Sequence, residues 1–149
     1  MHAAEHRNDR RCSHGILARL VAALTLGMVG LQAGAHHSIA RVYDDTRRAT
    51  VSGIVTEFRF INPHPLLVVE VVDDAGETAV WQLEMDNRFE LARVGMTAET
   101  FAAGDRVAAE GSLGRTDART LYIRWLERPS DGLVYEQVGY SPRLTIAPQ

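Results

Sequence analysis

Apolar and polar residues alternate with a period of two along most of the chain after residue 48, a pattern typical of β-strands. The clearest example is AVWQLEM, in which Trp81, Leu83 and Met85 fall on one face. A longer segment, ATVSGIVTEFRF, alternates less regularly, because its apolar phase changes close to Gly53. We expect a bulge or a sharp bend at that glycine.

Three further segments have the length and composition of strands: LLVVEVV, GDRVAAEGSL and LYIRWLE, the last with Leu121, Ile123 and Trp125 inward. Between the third and fourth strands the period changes. Asn87 followed by Glu90 is typical of a helix start, and a glycine stands where a short helix would end.

The predicted order is therefore three strands, a short helix and two strands. This is the order of the five-stranded oligonucleotide/oligosaccharide-binding (OB) barrel, in which the helix covers one end between the third and fourth strands. We predict an all-β domain with a small helical insert and an OB-like barrel. A sandwich of three plus two strands with a helical crossover is the alternative architecture.

The first 35 residues contain the three regions of a secretory signal peptide. Arginines precede an apolar stretch from Leu20 to Leu31, and Ala33 and Ala35 occupy the small-residue positions that a signal peptidase requires. The apolar stretch is too short to span a bilayer comfortably as a permanent helix. We predict cleavage between Ala35 and His36 and a periplasmic or secreted protein. An uncleaved signal anchor is the alternative.

Cleavage would divide the chain into a signal peptide over residues 1–35, a barrel over residues 36–128 and a C-terminal tail over residues 129–149. The 12 basic and 17 acidic residues that remain give the mature chain a net charge of minus five. An acidic domain is a poor partner for nucleic acid, and no membrane span is predicted after cleavage. The mature chain has no cysteine, which excludes disulfides and thiolate metal sites.

Three of the six histidines follow the predicted cleavage site, and two of them, His36 and His37, are the first mature residues. The α-amine and the ring of His36, completed by the imidazole of His64, would form a three-nitrogen set suited to copper(II). His37 offers a competing chelate through the amine, a deprotonated amide and its own ring. Zinc with three nitrogens and a water is also compatible. In the alternative interpretation the terminal pair only suits the peptidase, and His64 caps a turn.

His64 lies in the sequence INPHP, where the prolines favour an extended backbone on both sides of the imidazole. Glu84 alternates outward on its strand and is either a group that orients an imidazole or a solvated carboxylate. Met85 is a soft ligand type, but its phase predicts a core position. Asp44 and Asp45 are expected to be solvated. No nucleophile with a partnered base is evident, so we assign no catalytic residue.

Four short motifs occur in order: AHHS at residues 35–38, NPH at 62–64, WQLEM at 81–85 and GDRV at 104–107. With these motifs the chain resembles a family of small exported bacterial proteins catalogued as domain of unknown function 6152. The resemblance implies an exported β-domain with no assigned activity. By this resemblance, the polar residues that recur in the family correspond to His36, His37, Ser38, Asn62, His64 and Glu84.

Three hypotheses of function follow. The first is a binding domain that holds copper, or another divalent metal, through His36, His37 and His64, with Ser38, Asn62 and Glu84 orienting the ligands. The second is a non-metal interaction module that engages a periplasmic protein partner or an envelope component. The third is a copper-dependent oxidative enzyme, which would need an open metal position and a substrate face.

Overall fold

The computed structural model describes residues 39–73, 75–139 and 141–146. Residues 39–42 are helical and lead directly into the first strand. The elements that follow are β1 (Tyr43–Arg59), β2 (Leu66–Val72), β3 (Thr78–Glu84), α1 (Arg88–Arg93), β4 (Arg106–Gly114), β5 (Thr120–Arg128), β6 (Leu133–Val138) and β7 (Ser141–Ile146). The predicted signal peptide, its cleavage site and residues 36–38 lie outside the described residues.

Five of the strands close into a ring. β1 pairs antiparallel with both β2 and β4, while β2 pairs with β3 and β4 pairs with β5. The ring closes where β3 and β5 run parallel, with Leu83 opposite Leu121 and Glu84 opposite Tyr122. The predicted OB-like barrel is confirmed, and this parallel pairing distinguishes it from the alternative sandwich.

β1 pairs with β4 along most of its length and with β2 over its final part. Its inward phase changes within the part that pairs with β2. The predicted bulge at Gly53 is wrong: the register shifts between Val55 and Glu57, which leaves Thr56 as the extra residue. Gly53 has a different role. A Cβ atom there would lie 2.2 Å from the carbonyl oxygen of Glu70, so only glycine permits the close approach of β1 and β2 at this point.

β5 contains a second irregularity opposite β4. Ile123 pairs with Gly111 and Trp125 pairs with Glu110, so Arg124 is the extra residue of a bulge. The inward phase therefore passes to Leu126, which is fully buried, whereas Trp125 is only half-buried. The expected inward position of Trp125 follows from an unbroken alternation that the bulge interrupts.

The helical insert forms as predicted. Asn87 is the N-cap of α1, and its side-chain oxygen accepts a hydrogen bond from the backbone N–H of Glu90 at 2.9 Å. Gly95 follows the helix with a φ of 93°, a conformation that favours glycine. Leu91 on the helix and Met96 after it are buried in the core with Met85.

The segment after residue 128 contains the β6–β7 hairpin, which extends the sheet from β5. Leu133 and Tyr135 point inward and are buried, and Gln137 continues the same face. The alternation is present in LVYEQV, but a polar residue occupies one of its three inward positions, and this conceals the strand from a hydropathy pattern. Among the described residues, no helix combines the length and the apolar character needed to cross a membrane.

Candidate functional site

His64 lies in the loop between β1 and β2, and this loop is fastened to the connection between β3 and α1. The carbonyl of Pro63 accepts a hydrogen bond from the backbone N–H of Arg88 at 3.1 Å. The carbonyl of Pro65 accepts one from the N–H of Met85 at 3.0 Å. These bonds flank His64 on both sides, so the backbone that carries the imidazole is fixed to the barrel.

The imidazole of His64 is oriented through one of its nitrogens. Its side chain is 13% exposed, and Nδ1 lies 3.1 Å from the carbonyl oxygen of Met85 and 3.8 Å from Oε1 of Glu84. A carbonyl oxygen only accepts hydrogen bonds, so Nδ1 is the nitrogen that carries the proton. The lone pair of neutral His64 is then on Nε2. Histidines that bind metals are held in this way through their other nitrogen.

Glu84 is itself held by a tyrosine. The hydroxyl of Tyr43 donates a hydrogen bond of 2.7 Å to Oε2 of Glu84, while Oε1 is the atom nearer to His64. Tyr43 is buried, and this burial, together with the bond to Glu84, raises its pKa well above the ordinary value of 10.0. The hydroxyl therefore keeps its proton at neutral pH and acts as a donor to the carboxylate.

A second aromatic residue connects Tyr43 to charged groups on the barrel. The rings of Tyr43 and Tyr122 have centroids 5.6 Å apart, and the guanidinium of Arg124 lies 5.0 Å from the centroid of Tyr122. Arg124 and the hydroxyl of Ser112 both donate to Oδ1 of Asp45, at 2.7 and 2.6 Å. The bond from Ser112 and then that from Arg124 lower the pKa of Asp45.

The sequence gives little sign of these partners. Tyr43 precedes the predicted first strand, although it is the one aromatic residue between Ala35 and Phe58 and could have been noted for that reason. Tyr122 has the outward phase of its strand, yet it is buried because Tyr43 packs against it. Asp45 keeps the exposed side chain that was expected, but it is also paired with Arg124.

The remaining candidate residues are His36, His37, Ser38, Asn62 and Met85. His36, His37 and Ser38 lie outside the described residues. Asn62 is exposed in the loop before His64, and Met85 is fully buried, as its core phase predicts. Across residues 39–73, 75–139 and 141–146, no three His, Cys, Asp or Glu side chains are grouped so that they could hold a metal ion. Among these residues His64 and Glu84 lie near each other, but two side chains are fewer than the three that such a metal site requires.

Comparison with known proteins identifies the family. No curated protein matches the sequence. Among solved structures, the chain is similar to a small single-stranded DNA-binding protein from Streptomyces coelicolor, with 17% identity and a TM-score of 0.38. That likeness covers 54% of this chain and 89% of the other. A family model described as a family of unknown function (DUF6152) matches residues 24–121, and the chain belongs to this family.

Proposed function

We propose that the mature, exported protein binds one copper(II) ion through its N-terminus and His64. In this proposal Nε2 of His64 is one ligand, and the α-amine and ring nitrogen of His36 are two others. His37 supplies the competing chelate. The observation that carries the proposal is the bond between Nδ1 of His64 and the carbonyl of Met85, which leaves Nε2 as the ring nitrogen with a lone pair.

The described residues supply only part of a metal site, so further ligands must come from elsewhere. Two residues, His37 and Ser38, separate His36 from Ile39, and the three residue-to-residue steps between them extend at most about 11 Å. Tyr43 follows four residues later and bonds to Glu84 beside His64. The proposal requires the α-amine of His36 to reach the metal that Nε2 of His64 binds.

The ligand chemistry favours copper(II). Imidazole and amine nitrogens suit it, and at nitrogen sites copper exceeds the other divalent first-row ions in affinity. The predicted mature chain contains no thiolate to select a softer ion. With Oε2 of Glu84 engaged by Tyr43, this carboxylate acts as an orienting group outside the ligand set. We infer a role in metal handling or sensing.

The test is a copper(II) titration followed by electron paramagnetic resonance on protein whose mass shows that it begins at His36. A form with one extra N-terminal glycine and the variant His64→Ala are measured beside it. Gln82→Ala, an exposed change on β3, is the matched control. We expect stoichiometric binding with a nitrogen-rich spectrum in wild type and the control. Both the glycine form and His64→Ala should bind more weakly, with altered spectra.

Weak copper(II) binding whose affinity is the same in wild type, the glycine form and His64→Ala would reject the copper site. Tight zinc binding with the same sensitivities would keep the ligands and change the ion. Rejection would leave the interaction module as the better hypothesis. The first residues to substitute in a test of that hypothesis are Ile61 in the His64 loop and Phe89 on α1, because these apolar side chains are 53% and 70% exposed.

A further inference from the structure

One end of the barrel concentrates half of the basic residues of the predicted mature chain. Residues 41–48, at the start of β1, lie beside the end of β4 and the turn that follows it, because Tyr43 pairs with Gly114. We call residues 41–48 and 115–124 the basic end. These two segments contain six of the 12 arginines that follow residue 35: Arg41, Arg47, Arg48, Arg115, Arg119 and Arg124.

The acidic residues are distributed the other way. The basic end contains three of the 17 Asp and Glu residues, so its net charge is plus three. The rest of the mature chain has six arginines and 14 acidic residues, a net charge of minus eight. Glu84 borders the basic end through its bond from Tyr43, and with this carboxylate included the end still has a net charge of plus two. The domain is therefore strongly polarised in charge.

The arginines of the basic end are only partly neutralised by its aspartates. Asp44 is paired with Arg115 at 3.2 Å, and Asp45 is paired with Arg124 at 2.7 Å. In the described part of the chain, the other four are exposed and form no ion pair: Arg41, Arg47, Arg48 and Arg119. Their guanidinium groups are accessible to an anionic partner.

We propose that the basic end docks on an anionic membrane surface, with its exposed guanidinium groups at the lipid phosphates. This inference does not depend on copper binding. A planar array of phosphates suits charges that are spread over two segments of chain better than one small anion does. The acidic remainder of the domain is repelled by such a surface, and this repulsion turns the basic end toward the lipid.

Two observations favour a membrane over nucleic acid, which is also a phosphate polyanion. Tyr43 and Tyr122, the aromatic residues of the basic end, are buried, so neither offers a ring on which a base could stack. In the sequence, the basic end closely follows the apolar stretch from Leu20 to Leu31, which is predicted to enter the membrane during export. The cationic part of the domain is thus the part that follows the membrane-directed stretch.

The test measures binding to lipid vesicles by co-sedimentation in about 0.1 M salt, where the Debye length is about 10 Å. Protein that begins at His36 is used, so that the apolar stretch itself does not bind lipid. One set of vesicles is phosphatidylcholine alone, and the other is an equal mixture with phosphatidylglycerol. The variant Arg41→Gln/Arg47→Gln/Arg119→Gln removes three exposed charges from the basic end.

A matched control removes the same net charge elsewhere. Arg93→Gln/Arg106→Gln/Arg143→Gln also replaces three exposed arginines. Arg106 pairs with Ile54, at the opposite end of β4 from Gly114. The two triple variants therefore have equal net charge and differ in where the charge is lost.

We expect wild type to bind the vesicles with phosphatidylglycerol and to bind those without it much more weakly. An arginine near an anionic surface raises affinity about five-fold, so the basic-end triple variant should bind about 100-fold more weakly. The control should stay within about five-fold of wild type, because charges beyond a Debye length from the lipid are screened. Thermal unfolding checks that both variants are folded. If a triple variant does not fold, Arg47→Gln against Arg143→Gln makes the same comparison, with an expected five-fold loss for Arg47→Gln alone.

Three results would overturn the inference. The first is wild type that does not distinguish the two kinds of vesicle. The second is an equal loss in both triple variants, since net charge and not the basic end would then determine binding. The third is a single-stranded oligonucleotide that binds wild type as tightly as the anionic vesicles do, which would assign the basic end to nucleic acid.

Discussion

Nδ1 of His64 donates to the carbonyl oxygen of Met85 at 3.1 Å, and the side chain of Met85 is fully buried. The imidazole is thus tied to backbone that cannot move without disturbing the barrel core. Glu84, the preceding residue of the same strand, provides a carboxylate near the same nitrogen. An exposed loop histidine would have neither constraint.

This relationship predicts the tautomer of His64 in the metal-free protein. In the neutral imidazole the proton should reside on Nδ1, because the carbonyl of Met85 can only accept a hydrogen bond. Nitrogen-15 NMR of the ring distinguishes the two tautomers, and the spectrum of His64→Asn assigns the signals. Predominance of the Nε2–H tautomer would contradict the bond to Met85 and remove the basis of the copper proposal.

The buried carboxylate of Asp86 gives a prediction about stability. Nε2 of Gln137 on β6 donates to its Oδ2 at 2.6 Å, and Tyr135 donates to the amide oxygen of Gln137. Gln137→Ala removes this donor and should lower the free energy of unfolding by about 1–3 kcal/mol, the cost of an unsatisfied buried acceptor. Urea unfolding measures the change. Gln82→Ala, which truncates an exposed glutamine, should cost much less, and equal losses would refute the argument.

The parts of the fold that the sequence predicts are those with local signals. The strand order and the cap formed by Asn87 each follow from a few adjacent residues. The two bulges do not, because Thr56 and Arg124 are extra only relative to the strands that they face. The hairpin β6–β7 was missed because the inward residue Gln137 is polar, and its partner Asp86 is 51 residues away in sequence.

The candidate site divides in the same way. His64 and Glu84 are recognisable by residue type, and NPH marks the loop. Tyr43 is not, because its partner Glu84 lies 41 residues further along the chain. Its role follows from closure of the ring, which brings the start of β1 beside the parallel pairing of β3 and β5. Contacts set by closure of a barrel have no local sequence signal.

The close approach of β1 and β2 makes Gly53 a sensitive position. A Cβ atom there would meet the carbonyl oxygen of Glu70 at 2.2 Å and Cγ1 of Val69 at 2.7 Å. Gly53→Ala should therefore lower the free energy of unfolding by about 1–3 kcal/mol or more, because backbone must shift to admit the methyl group. Thermal or urea unfolding measures this. Ser52→Ala, at the exposed neighbouring position, is the control, and an equally small effect at both sites would contradict the geometry.

The pairing of Asp45 with Ser112 and Arg124 predicts how stability depends on pH. These bonds lower the pKa of Asp45 in the folded state below its ordinary value of 3.8. The stabilisation is then fully present above that value and is lost as pH falls through the lower folded pKa. Because the side chain of Asp45 is largely exposed, Asp45→Asn should cost less than about 1 kcal/mol near neutral pH.

The difference between wild type and Asp45→Asn should shrink as pH falls below 3.8, since the protonated carboxyl of Asp45 is also uncharged. Urea unfolding at low ionic strength, at about pH 7 and at several values below 4, follows this convergence. Glu70→Gln, which removes an exposed carboxylate on β2, is the control for loss of charge alone. A difference for Asp45→Asn that widens on acidification would have the wrong sign for a carboxylate stabilised in its charged form.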